Sequence, residues 1–127
     1  MLVDLHPAST AEARGVVRAE LAGRCAPGKI DDALLAVSEL LNNAIIHAQT
    51  EPRVAAYGSR DRLRVEVWDA DPRPPVLGPA PHPHADTGRG LHLVNAVAEA
   101  WGYEFRDRGK VVWFELNLVD DSADAAN

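Results

Sequence analysis

Between Ile30 and Ala48, apolar residues recur at Leu34, Val37, Leu41, Ala44, Ile45 and Ala48, the three-and-four spacing that lays one stripe along an α-helix. At about 1.5 Å per residue such a helix is roughly 28 Å long, the width of a small domain. Its stripe must therefore be covered by a sheet or by other helices. Glu39, Asn43 and His47 stand four residues apart in the same segment. Successive members drift only about 40° around the axis, so they form a second row on roughly the opposite side. One helix thus carries both a core face and a line of chemically capable groups.

The rest of the chain supplies what covers that stripe. Ser9 followed by Glu12 is a capping-box pattern that predicts a helix from Ser9 or Thr10, with Ala13, Val16, Val17 and Leu21 as its apolar face and an end before the turn-like Pro27-Gly28. Leu2 to Leu5 alternates weakly and predicts an edge strand. Arg53 to Tyr57 and Leu63 to Trp68 predict two strands. In the second, Leu63, Val65 and Val67 share one face and Arg64, Glu66 and Trp68 the other. Asp69 continues the apolar parity, so its carboxylate must be hydrogen-bonded, paired, or turned into a cavity.

Residues 70–87 hold six of the nine prolines, too long a stretch for a simple connector, and predict a functional flap. Gly88-Arg89-Gly90-Leu91 then opens a third predicted helix with Leu91, Val94, Ala98 and Trp101 as its stripe and Gly102 as its stop. Tyr103 to Arg106 and Val111 to Leu118 predict a closing hairpin, and 120–127 a disordered acidic tail. The fold class expected is α+β, a two-layer sandwich with about three helices on one face of a mixed, largely antiparallel five-stranded sheet. The other face of that sheet carries Trp68 and Trp113.

With 127 residues the chain suffices for one core, a domain over 1–119. A net charge of −6 argues against direct nucleic-acid binding. The single Cys25 cannot form an internal disulfide, and no stretch approaches the roughly 18 apolar residues of a membrane span. A soluble, cytoplasmic protein is the expectation.

Three features then carry chemistry in one order. The Glu39-Asn43-His47 row places a carboxylate and an amide one turn apart, suited to hold a divalent ion and to deprotonate a hydroxyl. Asp69 can accept a hydrogen bond from an exocyclic amine such as that of adenine. Gly88, Arg89, Gly90 and Leu91 present free N–H groups at a helix start, which suits phosphate oxygens. Each has an ordinary reading beside it: a solvated helix face, a strand-end cap, a tight helix start. His82, His84, Asp86 and His92 are read as surface residues of the proline-rich stretch rather than a metal site, and Cys25 lacks a neighbouring base.

These motifs together resemble the histidine-kinase-like ATPase (Bergerat-fold) domain, and within it the anti-sigma factor serine-protein kinases. The likeness runs from about Ser9 to Leu118. It implies an ATP pocket between the layers, with Glu39 as catalytic base, Asn43 as the Mg2+ ligand, Asp69 on the adenine amine, and His47 with Gly88, Arg89, Gly90 and Leu91 also at the nucleotide. It further implies a serine kinase that phosphorylates an anti-anti-sigma factor and sequesters a sigma factor, working as a homodimer. The alternative is a catalytically weak or inactive module of the same fold that acts by sequestration alone. Two departures favour the alternative: Asp69-Ala70-Asp71-Pro72 lacks the glycines that usually follow the Asp, and Val111 or Val112 stands where the family commonly has Thr.

Overall fold

The computed structural model describes residues 2–5, 9–48, 52–70, 94–106 and 109–118. In chain order the elements are β1 (Leu2–Leu5), α1 (Thr10–Leu21), α2 (Pro27–Ala48), β2 (Arg53–Gly58), β3 (Arg62–Asp69), β4 (Ala100–Arg106) and β5 (Gly109–Asn117). The five strands form one sheet in the order β1-β2-β3-β5-β4. The α+β expectation holds, with one refinement: every pairing among the described strands is antiparallel, not mixed. After β3 the chain returns at the sheet edge as β4 and only then inserts β5 beside β3.

The N-cap forms at Ser9 as the sequence predicts. The Ser9 hydroxyl oxygen accepts from the Glu12 N–H at 3.1 Å, and the same hydroxyl lies 2.9 Å from Glu12 Oε1. Ala13, Val17 and Leu21 are fully buried, and Val16 is partly buried. The predicted turn at Pro27-Gly28 is corrected. The chain turns at 22–24, and Pro27 is the first residue of α2, a position where its missing N–H costs nothing and its fixed φ suits the helix.

The stripe of α2 is wider than the spacing suggests, because the helix is covered on two sides. Ala33, Ala36 and Leu40 are buried along with Leu34, Val37, Leu41 and Ala44. On one side α1 packs: Arg14 Nη1 donates to Ser38 Oγ at 2.7 Å, and the Ser38 hydroxyl donates to the Leu34 carbonyl at 2.7 Å. On the other lies the inner face of the sheet, where Leu63, Val65, Val67, Phe114 and Leu116 join the same core. Ile45, expected in the stripe, is instead 43% exposed.

A second correction concerns the third helix. Among the described residues only 94–97 are helical there, and Trp101 and Gly102 belong to β4. Gly102 pairs with Trp113, and a Cβ at Gly102 would lie 2.8 Å from a carbon of the Trp113 ring. The glycine that reads as a helix stop is the space into which a cross-strand ring fits. The expected flap over 70–87 beyond Ala70, the motif Gly88, Arg89, Gly90 and Leu91, and the tail 120–127 lie outside the described residues. No helix among the described residues is long and apolar enough to cross a membrane.

Candidate functional site

Alternation along β3 sends Leu63, Val65 and Val67 into the core and brings Asp69 to the same inner face at the strand's end. Its side chain is only 4% exposed. Of the fates the sequence allows for such a carboxylate, pairing is the one observed: Lys110 Nζ stands 3.1 Å from Asp69 Oδ1, and the lysine side chain is itself 7% exposed. Register explains the meeting, because Asp69 and Lys110 are direct cross-strand partners of β3 and β5, and such partners point to one face.

Gly109 makes that close pairing possible. A Cβ there would collide with the Asp69 carbonyl oxygen and come within 2.8 Å of the Ala70 Cα, so any side chain would force the two strand ends apart. Lys110 was not among the residues that sequence reasoning singled out. The available signal was its rarity, since only Lys29 and Lys110 among the thirteen basic residues are lysines, and its place immediately before a predicted strand. The register also sorts the two valines at the family's Thr position: Val112 lies on the inner face opposite Val67, and Val111 on the outer face opposite Trp68.

Beyond Lys110 on the same face lie Phe105, its partner on β4, and Tyr103, the partner of Val112. The two rings meet edge to face with centroids 5.7 Å apart, and they are 57% and 42% exposed. The inner face is therefore sealed over β3 and exposed at Tyr103 and Phe105 of β4, whereas Trp101 packs against the core.

Of the α2 row, two side chains are described. Glu39 and Asn43 are both partly buried, not on a fully solvated face. Asn42, next to them, is exposed and accepts from the Thr10 hydroxyl at 3.3 Å. His47 lies in the last turn of α2, and its side chain falls outside the described residues. Because α2 packs on β3, the row and Asp69 stand on elements in contact; Gly88, Arg89, Gly90 and Leu91 lie outside the described residues. Glu39 and Asn43 offer hard oxygen donors, which suit Mg2+; that ion typically takes one or two protein ligands and completes its shell with phosphate and water. Among the described residues no three His, Cys, Asp or Glu groups gather as a dedicated metal cage. Burial pushes the Cys25 thiol above its ordinary pKa, with Lys29 opposing, so the thiol is a poor nucleophile at neutral pH.

Comparison with known proteins supports the fold and the family. Over 50 residues the chain is 48% identical to the uncharacterized protein SCO4941 of Streptomyces coelicolor, a match covering 39% of this chain and 48% of that protein. The match thus spans about half the length of that relative. Among solved structures, the catalytic domain of histidine kinase ThkA (TM1359) in nucleotide-free forms superimposes with TM-scores of 0.59 and 0.56. The first covers 94% of this chain and 99% of that one at 18% identity, the second 93% and 96% at 17%. At that identity the likeness establishes the fold. The family model for the histidine kinase-like ATPase domain matches residues 3–116, and with the two-layer fold in place the chain belongs to that family.

Proposed function

We propose that the chain is an ATP-binding, anti-sigma-factor-like regulatory protein: a serine kinase that phosphorylates an anti-anti-sigma factor and also sequesters a sigma factor, as a homodimer. The observation that carries the nucleotide part is Asp69, a carboxylate covered on all but 4% of its surface at the end of an otherwise apolar strand face. A carboxylate is expensive to bury, and recognition of an exocyclic amine gives it a use there. Glu39 would take the proton of the attacking serine, and Asn43 would hold the magnesium one helical turn away. The ion's contribution is to neutralise charge on the transferring phosphate.

The second reading, a sequestering module without transfer, is favoured by Ala70-Asp71-Pro72 and by valine at the Thr position. Calorimetric titration with ADP, with and without magnesium, tests the pocket. Asp69→Asn should weaken binding at least tenfold, the loss typical of a hydrogen bond to a charged group. Glu39→Gln then separates the two readings. A kinase should lose about 100-fold or more in transfer to a serine-bearing antagonist while keeping nucleotide, and a sequestering module should show no transfer before or after.

A further inference from the structure

β4 lies at an edge of the sheet and, among the described strands, pairs with β5 alone. Edge strands offer backbone N–H and C=O groups on which a further strand can pair, and natural edges are guarded by shortness, proline, lysine or a bulge. β1, the opposite edge, is short at four residues. β4 has none of these guards: it runs seven residues without proline or lysine, and its register with β5 is unbroken. Its two charges, Glu104 and Arg106, neutralise each other at 2.8 Å. Tyr103, Glu104, Phe105 and Arg106 are all exposed. We infer that this edge is the interface with a second copy of the chain: two β4 strands pair antiparallel about a twofold axis at Tyr103 and join the two sheets edge to edge. The inference rests on the homodimer of the function proposed above and names the surface that forms it.

The residue pattern of β4 selects both the occupant and the register. A continuous sheet sets inner-face residues opposite inner-face residues, so the axis must pass through a residue position. Centred on Tyr103 all seven residues pair, whereas an axis at Gly102 or Glu104 pairs five and one at Phe105 only three. On the inner face the Tyr103 register sets Tyr103 against its own copy and each Phe105 against the partner's Trp101. That is a ladder of three aromatic pairs, a kind that stabilises neighbouring strands. On the outer face it sets Glu104 opposite the partner's Gly102 and Arg106 opposite the partner's Ala100, long side chain against small. An axis at Glu104 would instead oppose two carboxylates. A strand that complements itself in length, face and side-chain size needs no other protein to complete it. Edge pairing of this length belongs at the small end of specific interfaces, near or below about 1,200 Å², so the dimer should dissociate on dilution.

The test combines sedimentation equilibrium over a dilution series with disulfide trapping of the full chain in a Cys25→Ser background. Directly opposite Cα atoms stand about 4.5–5.5 Å apart, within reach of a disulfide. On oxidation Tyr103→Cys should therefore give a covalent dimer. Phe105→Cys should not, because the two copies of that position lie four residue steps, about 13 Å, apart along the strands. Tyr103→Lys sets two ammoniums across the axis and should raise the dimer dissociation constant about tenfold or more, with unchanged circular dichroism. Equal trapping of the two cysteine variants would overturn the inference. A wild-type dimer indifferent to Tyr103→Lys forms on another surface, which also overturns the inference and leaves the homodimer standing. A wild type monomeric at every concentration removes the homodimer reading, and this inference with it; a strand of a different protein would then be the occupant left. Should a Tyr103 variant unfold, Phe105→Ala removes two of the three aromatic pairs at a 57% exposed position. An unchanged dissociation constant in that variant would likewise overturn the assignment.

Discussion

The two faces of the sheet handle charge in opposite ways. On the outer face Arg64 donates to Glu66 at 2.9 Å and to Glu115 at 3.1 Å while lying 4.3 Å over the Trp113 ring. Arg53 and Arg106 lie 5.7 and 5.6 Å from the ring of Trp68. Burial works against the charge on Arg64, but its hydrogen bonds to Glu66 and Glu115 outweigh it and raise its pKa. The inner face is apolar along β3 until it ends in Asp69 and Lys110. Outer charges share partners and touch water, so losing one is cushioned and screened. The inner couple is shut away from water, so losing one member takes the nearest opposite charge from a buried ion.

The contrast can be broken by mutation. The largest effect should come from Phe114→Ala, which opens a cavity at a fully buried inner-face position; a loss of about 4 kcal/mol is expected in urea unfolding. Lys110→Met should cost about 3 kcal/mol, and adding Asp69→Asn should restore part of it, since the buried carboxylate that Lys110 balances is then removed as well. A double mutant as unstable as the single would show that the couple is not acting as a unit.

Gly102→Ala sharpens the comparison on the outer side. The Trp113 ring must move to admit the new methyl, and a loss of about 1–2 kcal/mol is expected, with a shift in tryptophan fluorescence. Smallest of all should be Arg62→Ala, whose side chain is 62% exposed and pairs with Glu115 at 3.4 Å. Less than about 0.5 kcal/mol is expected, vanishing in high salt; a loss as large as that of Lys110→Met would erase the distinction between the faces.

Much of this was legible along the chain. The stripe of α2, the cap at Ser9 and the alternation of β3 are local patterns, and all three appear where the residues predict them, save that Ile45 leaves the stripe. The misreadings came where one residue serves two local grammars. Pro27 breaks a helix in its interior but opens one at its first turn, and Trp101-Gly102 reads as a helix end until Trp113 is laid across it. Asp69 announced itself by parity, and Lys110 stayed silent.

The sequence by itself determined the periodicities, and through them the two layers, the acidic couple member at the end of β3, and the row Glu39, Asn43 on α2. It also held the motifs that place the chain in its family. Only the tertiary structure decided that β5 lies between β3 and β4 with Lys110 opposite Asp69. The reason is physical: a helix stripe or a strand's alternation depends on neighbours within a few residues, whereas register joins residues forty apart in the chain. That register is fixed by which faces must be buried and by a glycine small enough to let two strand ends touch.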